Sequence, residues 1–187
     1  MSDRKNQILQ TAIEIVANQG YASLSMRALA RAAGMKLGAL QYHFSTSEEM
    51  LHALVGYIED SYQRSFVSLT EQYDPPDIFD IVNFVMDDEA GNTLMGDRLW
   101  PQLWAMQQVE PIVSELVEDI YAKYIRILED ALRNSGSQRP KAEALCLMSM
   151  LEGSTIFMGH GKRWRRNAKA ARQVILEFIE DRYGAIA

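Results

Sequence analysis

Apolar residues recur at three- and four-residue spacing through most of the chain, the period of a helix with one buried face. Ile8, Leu9, Ala12, Ile13 and Val16 define such a face over residues 3–18, with Ser2 or Asp3 as the N-cap and Gly20 as the stop. After the connection Tyr21-Ala22-Ser23-Leu24, Ser25 caps a second helix that runs from Met26 to Ala33 and stops at Gly34. A third follows over Lys36 to Tyr42, before Phe44 and the polar run Ser45-Thr46-Ser47. Helices this short do not persist alone in water. Ile13, Leu24, Leu29, Met35, Leu40 and Phe44 are therefore expected to pool their apolar faces in one small core.

Thr46-x-x-Glu49 is a capping-box pattern opening a long helix, with Met50, Leu51, Leu54, Val55 and Ile58 along one side. It is expected to continue to about Gln72, ahead of Asp74-Pro75-Pro76, and to belong to both parts of the molecule. Beyond the prolines no strand-like alternation occurs, and helical stretches fall near 77–89, 94–108, 111–134, 140–160 and 168–183. Pro111 and Pro140 sit where first-turn prolines are tolerated, Asn134-Ser135-Gly136-Ser137 is a loop, and Gly159 and Gly161 close the penultimate helix. The fold expected is all-α with about nine helices. It comprises an N-terminal three-helix, helix-turn-helix module over 3–60 and a larger helical domain over 61–187.

Composition narrows the function. With 48% hydrophobic and 24% charged residues the chain is in the range of folded globular proteins. It opens on no signal-like segment and has no uninterrupted apolar run long enough to cross a bilayer, so a cytoplasmic protein is expected. Its single cysteine, Cys146, excludes an internal disulfide and a multi-thiolate metal site, and its apolar neighbours predict burial. His43, His52 and His160 are scattered, with His52 expected on a packed helix and His160 in an exposed turn. No Gly-rich phosphate loop or nucleophile motif occurs, so neither an enzyme nor a cofactor or metal is expected. The net charge of −6 is uneven, being +1 over residues 1–55 and −7 over the rest. That polarity permits a DNA-contacting end on an acidic body.

The segment Ser25 to Phe44 carries the most information. Two short helices meet at a Gly-centred turn, with small Ala30 at the crossing and Leu29, Met35 and Leu40 beneath it. The second of them leaves Lys36, Gly38, Ala39, Gln41, Tyr42 and His43 outward. Lys36 suits a guanine edge or a phosphate, Gln41 an adenine, and Tyr42 and His43 phosphate oxygens. Ser25 offers an anion site at a helix start.

The run Ser25-Met26-Arg27-Ala28-Leu29-Ala30-Arg31-Ala32-Ala33-Gly34, with Gly38-Ala39-Leu40, Tyr42-His43-Phe44 and the following Glu48-Glu49-Met50-Leu51, resembles the signature of TetR/AcrR-type regulators over about residues 3–60. The resemblance implies a DNA-binding transcriptional repressor released by a small-molecule effector, acting as a homodimer on double-stranded operator DNA with no membrane association. It implies DNA contacts at Ser25, Arg27, Lys36, Leu37, Gly38, Gln41, Tyr42, His43 and Ser47. Gln41 stands where an aromatic is common and Ser47 where a phosphate-contacting lysine is usual, which lowers the expected phosphate neutralisation.

For the effector, Trp100, Leu103, Trp104 and Gln107 form a stripe at helical spacing, followed by Tyr121 and Tyr124 and by Met148 and Phe157. Most are expected in the core. Trp100-x-x-x-Trp104 followed by Glu110-Pro111 is similar to the choline-responsive, betaine-pathway branch of the family, and with Asp97, Glu110 and Glu115 nearby it suits a cation held on aromatic faces. Leu145, Met148, Leu151 and Ile156, with Val174, Ile175, Phe178 and Ile179, supply apolar faces for a four-helix dimer interface. The basic run Lys162-Arg163-Trp164-Arg165-Arg166 lies between those helices and is expected to neutralise the acidic body or to pair across subunits.

Overall fold

The computed structural model describes residues 3–73, 75–87 and 94–184, without the side chain of Asp97. Among the described residues the ordered elements are nine helices and two single 3-10 turns, with no strand. They are α1 (Asp3–Gln19), α2 (Met26–Ala32), α3 (Leu37–His43), α4 (Ser47–Gln72), α5 (Ile78–Asp87), α6 (Gly96–Met106), α7 (Pro111–Asn134), α8 (Pro140–Met158) and α9 (Ala168–Tyr183). The 3-10 turns are Tyr21–Ser23 and Arg165–Asn167. Asp74 and the expected helical positions 88 and 89 lie outside the described residues.

Local chemistry explains most of these bounds. The amide of Ala28 donates to Ser25 Oγ at 3.2 Å, so Ser25 caps α2 as its residue type favours. The other end of α2 is a Schellman closure. Gly34 takes φ +65°, its amide reaches Arg31 O at 3.2 Å, and that of Met35 reaches Ala30 O at 2.9 Å. The same pair of bonds closes α7, with Gly136 at φ +82° bonding Arg133 O and Ser137 bonding Leu132 O.

The cap of α4 differs from the expected box. The amide of Glu49 donates to Thr46 Oγ1 at 3.0 Å, but the Glu49 carboxylate accepts from the amide and hydroxyl of Ser45, at 2.8 and 2.6 Å, instead of from Thr46 N–H. These bonds hold the Glu49 carboxyl below its usual range, the Ser45 hydroxyl contributing most.

Packing divides the chain into two compact units. The first comprises Met1–Gln63 with Ala90–Glu118, and the second Arg64–Glu89 with Asp119–Ala187. In the first, Ile8, Leu9, Ile13, Leu29, Leu40, Phe44, Leu54 and Ile58 are buried, as are Leu99 and Leu103 of α6. Leu24 and Met35 depart from the expected core and are only half-buried, because each sits in a connection between helices. In the second unit Leu69, Ile81, Val82, Leu128, Leu132, Leu147, Leu151 and Ile179 form the interior. There Arg172 of α9 is paired with Asp87 and donates to Asn83 Oδ1 of α5 at 2.9 Å, and Arg182 donates to Glu143 of α8 at 3.0 Å.

Candidate nucleic-acid interface

Leu40 and Phe44 anchor α3 in the core of the first unit, and their burial sets which residues face outward. Lys36 is the N-terminal flank of the helix. Ser25, Arg27, Lys36, Gly38, Gln41, Tyr42 and Ser47 are exposed, whereas Leu37 and His43 are half-buried. Tyr42 stands 88% exposed, with the ring of His43 edge-on at 5.7 Å between centroids. A phenol left so far into water has its hydroxyl available to an external acceptor. The space in front of Gly38 is open within 4 Å of where a Cβ would stand, so a polymer backbone meets no side chain there.

Several contacts that join the first unit across long stretches of chain have no signature in the sequence pattern. Arg98 of α6 donates to Asn18 Oδ1 of α1 at 2.6 Å. The Tyr21 hydroxyl donates to Glu110 Oε1 at 2.5 Å. Burial first, and then the hydrogen bond to Glu110 and its negative charge, push the Tyr21 phenol up to about 12. A raised folded value means that the stabilisation is complete below the ordinary value of 10 and is lost as pH climbs towards about 12. Denaturant titrations at about pH 9 and about pH 11 should therefore show the wild type losing more stability between the two than Tyr21→Phe does. Equal losses would remove the phenol from that role.

The residues expected around an effector divide between the units. In the first, Trp100 and Leu103 are buried and Trp104 and Gln107 half-buried, with Trp100 5.5 Å from the ring of Tyr62 and 6.4 Å from that of Trp104. In the second, Tyr124 and Met148 are buried, Tyr121 is half-buried, and Tyr124 packs against Phe66 at 4.6 Å. Phe157 is exposed and pairs edge-on with Trp164 at 6.1 Å, on the surface. Glu110 accepts from Tyr21, Glu115 is exposed, and the side chain of Asp97 is outside the described residues.

The eight apolar positions assigned to an interface separate by face. Leu145 and Ile156 of α8 and Val174 and Phe178 of α9 are exposed, whereas Met148, Leu151, Ile175 and Ile179 are buried in their own unit. Cys146 is exposed rather than buried, because it lies on the outward side of α8 beside Leu145. His52 is likewise exposed on α4, contrary to the packed position expected, and His160 is exposed as anticipated. Residues 160–167 are all exposed, and the Arg163 guanidinium lies 5.8 Å from the Trp164 ring.

Residues 8–54 match the family model described as bacterial regulatory proteins, tetR family. A comparison with curated proteins finds no match. Among solved structures, a protein from Saccharomonospora viridis described as a transcriptional regulator in complex with choline is 21% identical, with 96% of this chain and 97% of that one covered and a TM-score of 0.76. A transcriptional regulator from Rhodococcus is 17% identical over 98% and 99% of the two chains, at a TM-score of 0.76. A TetR transcription regulator from Haloarcula marismortui is 14% identical over 97% and 98%, at 0.71. The fold over nearly the whole chain is thus the all-helical fold of these regulators, and residues 8–54 are similar to the N-terminal part of tetR-family proteins. The proteins it resembles are regulators of transcription, not enzymes. Among the described residues no helix is long and apolar enough to cross a membrane.

Proposed function

We propose that this chain, with its N-terminal module of the tetR type, is a homodimeric transcriptional repressor that holds operator DNA through residues 3–60 and releases it when an effector binds within 61–187. The observation that carries the reading is the presentation of α3, whose Leu40 is buried while Lys36, Gln41 and Tyr42 are turned to solvent. Lys36 and Gln41 meet base edges in the major groove, and Tyr42 and His43 donate to phosphate oxygens. Ser25 Oγ accepts the cap bond from Ala28, which leaves its own O–H to donate to a phosphate.

Two copies are needed to read two half-sites about 34–36 Å apart or a multiple of it. Leu145, Ile156, Val174 and Phe178, exposed on the last two helices, are the surface for a second copy. The effector alters the spacing of the two α3 helices and so weakens binding. An aromatic-bound cation is the effector class favoured by the Trp100, Trp104 and Tyr62 rings and by the choline held by the Saccharomonospora protein.

A fluorescence-anisotropy titration with duplex DNA from the region upstream of the protein's own gene tests this. Wild type should bind, and Lys36→Ala and Tyr42→Ala should each weaken binding by at least about fivefold, or roughly 1 kcal/mol. Choline added to the complex should lower the anisotropy. Absence of binding to every upstream fragment at low salt would end the regulator reading, and indifference to choline would end the cation reading alone.

A further inference from the structure

The first turn of α1 places two adjacent cations at opposite ends of α3. Arg4, exposed, donates from Nη2 to the carbonyl oxygen of Ala33 at 3.4 Å, beside the turn that leads into α3, and from Nη1 to Gln7 at 3.0 Å. Lys5 holds its ammonium 5.2 Å from the ring centroid of Phe44, the residue that caps the C-terminal end of α3. A guanidinium carries five N–H donors in a planar fork, so these two bonds leave Arg4 donors for a further acceptor. The stem of Lys5 is half-buried and fixes where its charge sits.

This arrangement supplies what the neighbouring sequence lacks. At the junction of α3 and α4, residues 45–49 read Ser-Thr-Ser-Glu-Glu and contain no cation, and Glu49 is held by its bonds to Ser45. Lys5 brings a positive charge to that corner, where it also acts on the Glu49 carboxylate. The seven residues of α3 span about 10 Å, so a cation beside each flank of the helix can meet a different phosphate of the same strand.

We propose that Arg4 and Lys5 are phosphate ligands that seat α3 in the groove, Arg4 beside the turn between α2 and α3 and Lys5 beside the junction of α3 and α4. Their contacts are to phosphodiester oxygens and carry no sequence information. The proposal rests on the DNA-binding reading above, and it adds contacts outside the helix-turn-helix segment itself.

The test uses the full-length protein with Arg4→Gln and Lys5→Met, singly and together, and the charge-retaining Arg4→Lys and Lys5→Arg as folding-neutral references. Affinity is measured by anisotropy between about 50 and 200 mM salt on a duplex from the upstream region and on a random duplex of equal length. Each neutralising substitution removes one contact per subunit. In the dimer the slope of log K against log salt should become shallower by about 1.8 per substitution, with affinity falling in parallel on both duplexes. The charge-retaining variants should keep the wild-type slope. A slope unchanged in both neutralising variants overturns the inference even if affinity falls, as does a charge-retaining variant that loses the slope as fully as its neutral counterpart. If wild type itself binds neither duplex at low salt, the DNA-binding reading fails first and takes this one with it.

Discussion

Aspartate at both Val174 and Phe178 is expected to give a folded monomer that binds its operator about a hundredfold or more weaker than wild type. The two positions lie one helical turn apart on α9 and are 61% and 46% exposed, so the isolated subunit loses no interior packing when they change. Ile175 and Ile179, on the adjacent buried face, keep α9 attached to its own unit. Bringing two carboxylates from each copy into an apolar contact without partners costs several kcal/mol per ion, more than an interface of this kind can offset. Separated subunits then bind half-sites one at a time and lose the gain in effective concentration that linkage provides. Light scattering reads the mass, thermal circular dichroism the fold, and anisotropy the affinity. A double variant that stays dimeric moves the interface elsewhere, and a folded monomer with undiminished affinity removes the need for a dimer.

Leu40→Ala should lower stability by about 3 kcal/mol, as a leucine truncated in a closed core does. Leu40 has no exposed surface, although it sits on a helix of only seven residues with exposed neighbours on both sides. For a chain of this size that destabilisation corresponds to a melting temperature lower by roughly 6–12 °C. Because α3 is too short to stand alone, DNA binding should disappear well below the temperature at which the remaining helices melt. Gln41→Ala provides the contrast. Gln41 is exposed, so truncation should leave the melting temperature nearly unchanged while weakening recognition. If Leu40→Ala melts like wild type, α3 is not held by its core face.

Element boundaries were legible wherever a single residue's backbone chemistry decides them. Ser25, Gly34, Pro111, Gly136 and Pro140 mark helix ends because a cap oxygen, a left-handed φ or a missing amide acts within one turn. The outward set on α3, apart from the half-buried His43, was legible for a related reason, since Leu40 and Phe44 define its buried side. On α8 the pattern was ambiguous. Residues 144–151 are apolar at Ala144, Leu145, Cys146, Leu147, Met148, Met150 and Leu151, which covers every side of the helix and leaves no period to show which faces inward. Hence Cys146 emerged exposed, and Met148 and Leu151 emerged as interior beside the outward Leu145. Pairings between distant positions, such as Arg98 with Asn18 and Tyr21 with Glu110, depend on how helices stack and leave no local trace. The same holds for Glu49, whose choice of Ser45 over Thr46 follows from the approach of the chain to α4.

The placement of the tryptophans gives the molecule built-in optical probes. All three lie beyond α5, so α1 to α4 contain no indole, and duplex DNA on α3 can be monitored without direct contact between a base and a tryptophan. Trp100, only 7% exposed and in van der Waals range of other rings, emits as a shielded chromophore, whereas Trp164, 50% exposed and beside cations, is open to an anionic quencher such as iodide. Iodide quenching therefore separates two signals within one spectrum. The resistant component reports on the surroundings of α6, and the quenchable component reports on whatever covers the turn between α8 and α9.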